Sequence, residues 1–418
     1  MFLYTVSNYD IHSFVADSDG LQINGINVSR LTLADDTALM SLSPKGLQAM
    51  MDRAHQYGRK WRLRFSSTKS KVVVFGETNY QHKRNKLLRS WSMGDSATEE
   101  VDSYNHVGIM LYACSQSDRT KRVVNKGKGL LASLAGVGVK FDGLNPIYSA
   151  RVWDRMCVPS VLYGCEVWYD LKPSEMLALE RLQRYAGRLI QGFHLRTHTE
   201  IVIAFLGWIS VMGRIRKFKL LFLRKIISMK SNTVIKQMFM FRLAQYQTGA
   251  VYAMKGFIPE IHQILDYYGL TQFLDEYNSM RYFPVKKVWS SILKDRITLK
   301  ENESYVKGLM AKTVEHVALK SHPSIQTHSI YRLMTSMSTN RNKLSLLIKL
   351  LSIPEGIVVE CGMCKQIISN IVIHMFVYCV ALNSVRNTMW EEIINMLDVE
   401  FSVALDNKSD SELVSIFL

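Results

Sequence analysis

Proline is scarce in this chain, with 8 residues among 418, and glycine stops at 23. That poverty excludes a fibrous or low-complexity polypeptide. Cysteine is scarce too. Six residues over such a length do not make a disulfide scaffold. Long apolar runs are missing as well. The longest, residues 367 to 382, is broken by Ser369, Asn370 and His374. It falls short of the roughly 18 to 20 residues that a membrane span needs. The opening MFLYTVSNYD has no basic region and no cleavage pattern, and Asn8 and Asp10 interrupt it early, so it does not read as a signal peptide. These absences lead to the expectation of an intracellular protein, nuclear or cytoplasmic, with no membrane contact. The last shortage is acid: 36 Asp and Glu stand against 52 Lys and Arg, for a net charge of +16.

What is present is enough for folded domains. Hydrophobic residues make up 48% of the chain, and the length suits two or three domains. The excess of positive charge suggests a polyanionic partner, most simply nucleic acid. A solvated basic surface without a partner is the competing reading. The charge is clustered, which favours the first. Residues 53 to 90 hold Arg53, Arg59, Lys60, Arg62, Arg64, Lys69, Lys71, Lys83, Arg84, Lys86 and Arg89 against Glu77 alone. Residues 201 to 230 hold Arg214, Arg216, Lys217, Lys219, Arg224, Lys225 and Lys230 with no acid. Such stretches suit phosphate contacts that carry no sequence information. Trp61, Trp91, Tyr104 and Trp168 are candidates to stack on bases, although core packing is the more ordinary use of such residues.

The pattern along the chain predicts an α+β protein that is predominantly helical. Leu21, Ile23, Ile26 and Val28 flank Asn24-Gly25, a hairpin turn signal. Leu31-Thr32-Leu33 then runs into Ala34-Asp35-Asp36 and out through Thr37-Ala38-Leu39-Met40, two apolar strands around an acidic turn. Leu47, Met50, Met51 and Ala54 recur at helical spacing over residues 45 to 58, and Gly58 closes that helix. Trp61, Leu63 and Phe65 alternate with Arg62 and Arg64 as in a strand, Val72 to Gly76 reads as a buried strand, and another covers 104 to 111. From about residue 119 the pattern is helical. Pro173-Ser174 starts one helix and Gln191-Gly192 ends it. On it Leu179, Leu182, Ala186 and Leu189 form an apolar stripe, while Arg181, Arg184 and Arg188 share another face. Further helices are expected at 211 to 230, 234 to 247, 259 to 279 and 287 to 296.

Two motifs carry chemistry. Adjacent carboxylates at a hairpin tip hold a hard divalent cation such as magnesium, and two-metal phosphoryl transfer needs a further carboxylate from a neighbouring strand. As a bare dipeptide, Asp-Asp is more often a solvated turn. The second motif is Cys361-Gly362-Met363-Cys364 with His374 and Cys379, a C-x2-C-x9-H-x4-C spacing. Three thiolates and an imidazole make a closed tetrahedral zinc site. The alternative is three buried thiols and a core histidine in an apolar helix. An intracellular setting favours metal over disulfide.

The segment Leu31-Thr32-Leu33-Ala34-Asp35-Asp36-Thr37-Ala38-Leu39 resembles the active-site hairpin of reverse transcriptases, in particular those of non-LTR retrotransposons. Downstream blocks resemble that family in order and spacing. Leu63-Arg64-Phe65 with Lys69 to Phe75 is similar to the strand block after the catalytic hairpin. Tyr104-Asn105-His106-Val107-Gly108 is similar to the primer-grip block. Asn145-Pro146, Val158-Pro159 and Leu162-Tyr163-Gly164-Cys165-Glu166-Val167-Trp168 are similar to the start of the thumb. The Cys and His cluster, followed by Arg386 and Trp390, resembles the family's C-terminal knuckle, with a slightly longer x9 gap.

The resemblance implies a partial reverse-transcriptase palm over residues 1 to 112, a helical thumb over 113 to 240, a helical connector over 241 to 355 and a Cys-Cys-His-Cys segment over 356 to 418. It implies that Asp35 and Asp36 are the paired magnesium aspartates, with Asp35 the more direct ligand, since alternate residues of a strand face opposite ways. Lys69 corresponds to the basic residue near the incoming triphosphate. Arg62, Arg64, Lys71, Tyr104, Gly108, Arg181, Arg184 and Arg188 become nucleic-acid contacts. Cys361, Cys364, His374 and Cys379 become zinc ligands. The implied function is RNA-directed DNA polymerisation by two-metal nucleotidyl transfer, with an RNA template, a DNA primer and deoxynucleotide triphosphates as partners. Three departures qualify this. Leu33 stands where the family has an aromatic residue, and Ser66 where it has Asn. The first catalytic aspartate and the Gln-Gly and Ser-Pro template block lie upstream of the hairpin in the family, and none of Asp10, Asp17 or Asp19 ends a convincing strand. The expectation is therefore a fragment that does not polymerise alone, or a non-catalytic remnant that binds nucleic acid and zinc.

Overall fold

The computed structural model describes residues 20 to 396, apart from 34–35, 67, 114–116, 142, 170, 194, 196, 252–253, 311–321, 323, 329–330, 332–357 and 370. In chain order the first elements are β1 (Gln22–Ile23), β2 (Ile26–Asn27), β3 (Arg30–Leu33), β4 (Asp36–Leu39), α1 (Pro44–Trp61), β5 (Lys71–Val72), α2 (Asn79–Lys86), β6 (Trp91–Met93), β7 (Ser96–Glu100), β8 (Ser103–His106) and β9 (Ile109–Tyr112). Helices follow: α3 (Ser117–Gly136), α4 (Pro146–Val152), α5 (Pro173–Gln191), α6 (Thr199–Ala204), α7 (Val211–Ile227), α8 (Val234–Gln247), α9 (Phe257–Tyr267), α10 (Gln272–Met280) and α11 (Lys286–Met310). A short hairpin, β10 (Val359–Glu360) with β11 (Ile367–Ile368), and α12 (Asn383–Met396) complete the described chain. The protein is mainly helical with small sheets, all antiparallel except for the β5–β7 pair. No helix among the described residues is long and apolar enough to cross a membrane.

The chain divides into two compact units, each drawn from three stretches. The first comprises residues 1–122, 163–171 and 218–286, and the second 123–162, 172–217 and 287–418.

In the first unit the acidic segment does form a hairpin. β3 and β4 pair antiparallel with Arg30 opposite Leu39 and Leu33 opposite Asp36, and Thr32 faces Thr37 across the pair at 3.4 Å between hydroxyls. Asn24 and Gly25 take positive φ at the tip of the β1–β2 hairpin, the conformation that a two-residue turn requires. The Leu21 amide donates to the Met40 carbonyl at 3.0 Å, joining the two hairpins. Helix α1 begins where Ser43 Oγ accepts the Gly46 amide at 3.0 Å, with Pro44 in the first turn. Its apolar face lies over a small core of Met51, Val72 and Trp91, with Leu39, Leu47, Val74 and Met93 around it. Each such side chain, fully buried, contributes about 1.5 to 3 kcal/mol relative to exposure.

Local expectations fail in four places here. Gly58 does not close α1, which continues to Trp61. The expected buried strand from Val72 to Gly76 is only β5, Lys71–Val72, and Phe75 beyond it is exposed. The alternating stretch 62 to 65 is not a strand. Arg62 adopts left-handed backbone, φ 57°, and its amide caps α1 at the Gly58 and Arg59 carbonyls, so the chain turns rather than extends. The stretch 104 to 111 is a hairpin, not one strand. Val107 and Gly108, both at positive φ, make its turn, and β8 pairs with β9.

In the second unit, α5 runs as its start and stop signals predict. Met176, Leu179, Leu182, Ala186 and Ile190 are buried along one face. Gly192 ends it at φ 70°, and a Cβ there would lie 2.5 Å from the Phe141 ring, so both backbone and packing call for glycine. In the first unit, the expected helix at 259 to 279 is two helices, α9 and α10, separated by Gly269 at φ 64°. The expected helix at 287 to 296, in the second unit, is longer and reaches Met310 as α11.

Candidate metal centre and nucleic-acid surface

The second unit carries the Cys and His cluster. β10 delivers Cys361 into a tight turn, Cys361 to Lys365, closed by the Lys365 amide on the Cys361 carbonyl at 2.9 Å and the Cys361 amide on the Gln366 carbonyl at 2.8 Å. Lys365 takes positive φ, 64°, to complete that reversal. The β11 strand then pairs back, Glu360 opposite Ile367. His374 opens a wide helical turn, His374–Tyr378, in which the Cys379 amide donates to the His374 carbonyl at 2.6 Å. The extra residue in that turn swings Cys379 beside His374.

The four donor atoms lie within 4.8 Å of one another. Cys361 Sγ is 3.9 Å from Cys379 Sγ, and Cys364 Sγ is 3.1 Å from His374 Nε2. Zinc bonds of about 2.3 Å to sulfur and 2.0 Å to nitrogen in a tetrahedron demand separations of that order. Cys361, His374 and Cys379 are buried, and Cys364 is half-buried. The Cys364 and Met363 amides aim at the Cys361 sulfur and, with burial opposing, bring that thiol down to about 6. At Cys364 the Gln366 amide pulls the pKa down, but burial and the neighbouring thiols outweigh it and raise the thiol. This donor set can hold a metal ion such as zinc. Among the described residues it is the one cluster of three or more metal-ligating side chains.

The other expected site residues are distributed as follows. Asp35 lies outside the described residues. Asp36 is exposed at the first position of β4, and Lys69 is exposed in the turn before β5. Tyr104 reaches that turn, its hydroxyl donating to the Lys69 carbonyl at 3.3 Å. Gly108 sits against Tyr163, whose ring would be 3.0 Å from an added Cβ, and the Tyr163 hydroxyl donates to the Val107 carbonyl at 3.1 Å. The Tyr104–Gly108 hairpin and Tyr163 thus meet. Arg62 and Arg64 are exposed beside Arg59 and Lys60. Lys71 is paired with Glu99 at 2.7 Å. Arg181, Arg184 and Arg188 belong to α5 in the second unit. Arg181 is exposed, and Arg188 donates to the Thr197 carbonyl at 3.0 Å while burial and Arg184 lower its pKa.

Several cations counted in the basic stretches are used internally, because burial demands a partner for each. Arg89 binds Glu77 at 2.7 Å and Glu100 at 2.6 Å, and Trp91 Nε1 donates to Glu100 at 2.8 Å. Buried His82 bridges Glu77 at 3.3 Å and Asp102 at 3.1 Å. The Arg89 and Asn85 hydrogen bonds hold Glu77 at about 2. Lys219 is fully buried, paired with Glu260 at 2.5 Å and donating to the Trp168 carbonyl. Arg214 pairs with Asp154 at 2.8 Å. Of the aromatic candidates, Trp91 and Trp168 are core residues, Tyr104 is half-buried and Trp61 is 44% exposed. The signal that sequence reading passed over was Glu77 itself, the single acid in a basic stretch and the hub of the buried network. No protein-family model matches this chain, and no curated protein matches its sequence.

Proposed function

We propose that this chain is part of a non-LTR retrotransposon reverse transcriptase, holding the paired-aspartate hairpin, the primer-grip hairpin and a metal-bound C-terminal segment. The observation that carries the reading is the meeting of the Tyr104–Gly108 hairpin with Tyr163, downstream of the β3–β4 hairpin whose second strand begins at Asp36. In the complete enzyme, Asp35 and Asp36 hold magnesium, Lys69 faces the triphosphate, and RNA template, DNA primer and deoxynucleotide triphosphates are the partners. Magnesium would supply the positive charge for nucleotidyl transfer. Of the two aspartates that would hold it, Asp36 is exposed at the start of β4 and Asp35 lies outside the described residues. Zinc at Cys361, Cys364, His374 and Cys379 is structural, since all four positions come from the protein and the site is closed.

We expect this chain alone not to extend a primer, because none of Asp10, Asp17 and Asp19 ends a convincing strand that would bring a third carboxylate to the hairpin. Primer extension with purified protein and magnesium tests that, and clear metal-dependent product overturns it.

A second reading is a non-catalytic module that binds nucleic acid and zinc. The exposed run of Arg59, Lys60, Arg62, Arg64 and Lys69 favours it. Binding without extension supports this reading, and absence of both sets aside the two together.

A further inference from the structure

The first unit contains a cavity of about 300 Å³ that plays no part in the proposed polymerase reading. Its walls come from the segment after Cys165 and from α7, α8 and α9. Trp168, Tyr169, Phe222, Phe239 and Phe257 all line it, so it is largely aromatic. Phe222 and Phe257 meet edge to face, with centroids 5.8 Å apart, the arrangement that the ring quadrupoles prefer. Ile226, Ile235, Met238 and Ile258 fill the remaining wall. The entrance is apolar too, since Val167, Tyr169 and Ile235 are each about half exposed.

The charged groups of the lining cancel. Glu260 is neutralised by Lys219 at 2.5 Å. Arg242 is held by the Lys255 carbonyl at 3.0 Å and by Gln245 at 3.4 Å, and Glu166 supplies the opposite charge. A charged guest would therefore lose its hydration without meeting a net opposite field. An apolar guest loses nothing by entering, because the walls keep their own polar partners. The volume stands at the lower end for small-molecule pockets, and smaller apolar cavities are known to stay dry and take up benzene.

We propose that this cavity is a binding site for an uncharged planar aromatic group of one or two rings. The guest stacks against or meets the edges of Phe222, Phe239 and Phe257, while Ile258 forms part of the wall. One chemistry admits two sources, a free small ring or an aromatic side chain of a partner polypeptide.

The test is equilibrium binding of indole to the full chain, by calorimetry and by saturation-transfer NMR. Indole is expected to bind with a Kd below about 1 mM. Its anionic and cationic analogues, indole-3-acetate and tryptamine, should bind at least about tenfold more weakly. Ile258→Phe places a ring in the space and should weaken indole by about tenfold or more while leaving the circular dichroism spectrum unchanged. If that variant does not fold, Met238→Phe fills the cavity from another wall and makes the same prediction. N-acetyl-tryptophanamide separates the sources: tighter binding than indole points to a polypeptide side chain, weaker binding to a free ring. The proposal fails if indole does not bind at about 1 mM, if the charged analogues bind as well, or if both filled variants that fold bind indole unchanged.

Discussion

The imidazole Nε2 of His374 lies 3.1 Å from the Cys364 thiol, with nine residues of chain between them. The contact depends on two local devices, the reversal at Lys365 and the wide turn His374–Tyr378. Cys361 and Cys379 approach to 3.9 Å from the other side of the same cluster.

The first prediction concerns this centre. Purified protein should contain about one zinc per chain, since such sites bind zinc tightly. Cys364→Ser should lower that content severalfold, and Cys361→Ser should do so as well. Removing metal with a chelator should raise amide exchange across residues 358 to 391, because small metal-held segments often fold only with their ion. Metal-free protein with unchanged protection there would falsify the assignment.

The buried network of the first unit makes a second. Glu77→Gln takes one of two carboxylates from Arg89 and one of two from His82, and because the pair is only partly shielded from water the cost should lie above that of a surface pair, about 1 kcal/mol, and below that of a fully buried one, about 3 kcal/mol. Urea unfolding of the variant and the parent measures the difference. The Lys71–Glu99 pair offers a control. Glu99 is exposed, and Glu99→Gln should shift the urea midpoint far less than Glu77→Gln does.

Acid should act on the two units in different windows. In the second unit, burial and then neighbouring His322 depress His328 from about 6.5 to about 4, and burial lowers His322 as well. Between those values the unfolded chain binds more protons than the folded one, so stability falls as pH drops from about 6.5 toward 4. In the first unit Glu77 is held at about 2 by Arg89 and Asn85. Its contribution is full above the ordinary carboxylate value near 4.5 and is lost as pH falls toward 2. Hydrogen exchange across a pH series should show residues around 322 to 331 loosening before those around 77 to 102. The reverse order would contradict both assignments.

Nucleic-acid binding should be steeply salt-dependent. Arg62 and Arg64 are exposed and take no part in the buried network. The double variant Arg62→Ala with Arg64→Ala should reduce the slope of log affinity against log salt by about 2, or about 1 for each lost phosphate contact. Arg89→Ala should leave the slope unchanged in any protein that still folds, because that guanidinium is committed to Glu77 and Glu100. A flat salt dependence in the parent protein would remove the electrostatic reading altogether.

Much of the local architecture was legible from residues alone, for identifiable reasons. Pro173 begins a helix, Gly192 ends it, and Asn24-Gly25 turns a hairpin, because capping and positive φ are decided within a few residues. The β3–β4 hairpin follows from two short apolar runs around an acidic tip. Periodicity misled where one residue reversed the backbone. Arg62 does so after α1, and Val107 with Gly108 splits the apparent strand at 104 to 111. Alternation carries no information about such a turn when a non-glycine residue makes it.

By itself the sequence determined the helical character of most of the chain, the start and stop of α5, the Asn24-Gly25 turn and the Cys-Cys-His-Cys spacing, since each depends on neighbours along the chain. Tertiary structure decided the rest. It drew each compact unit from three separated stretches, brought four metal donors within 4.8 Å, and turned Lys219, Arg89 and Arg214 from apparent phosphate contacts into partners of Glu260, Glu77 and Asp154. The reason is burial. A charge becomes a surface group or an internal one only when packing removes water from around it, and a buried charge then requires the partner that the fold has brought to it.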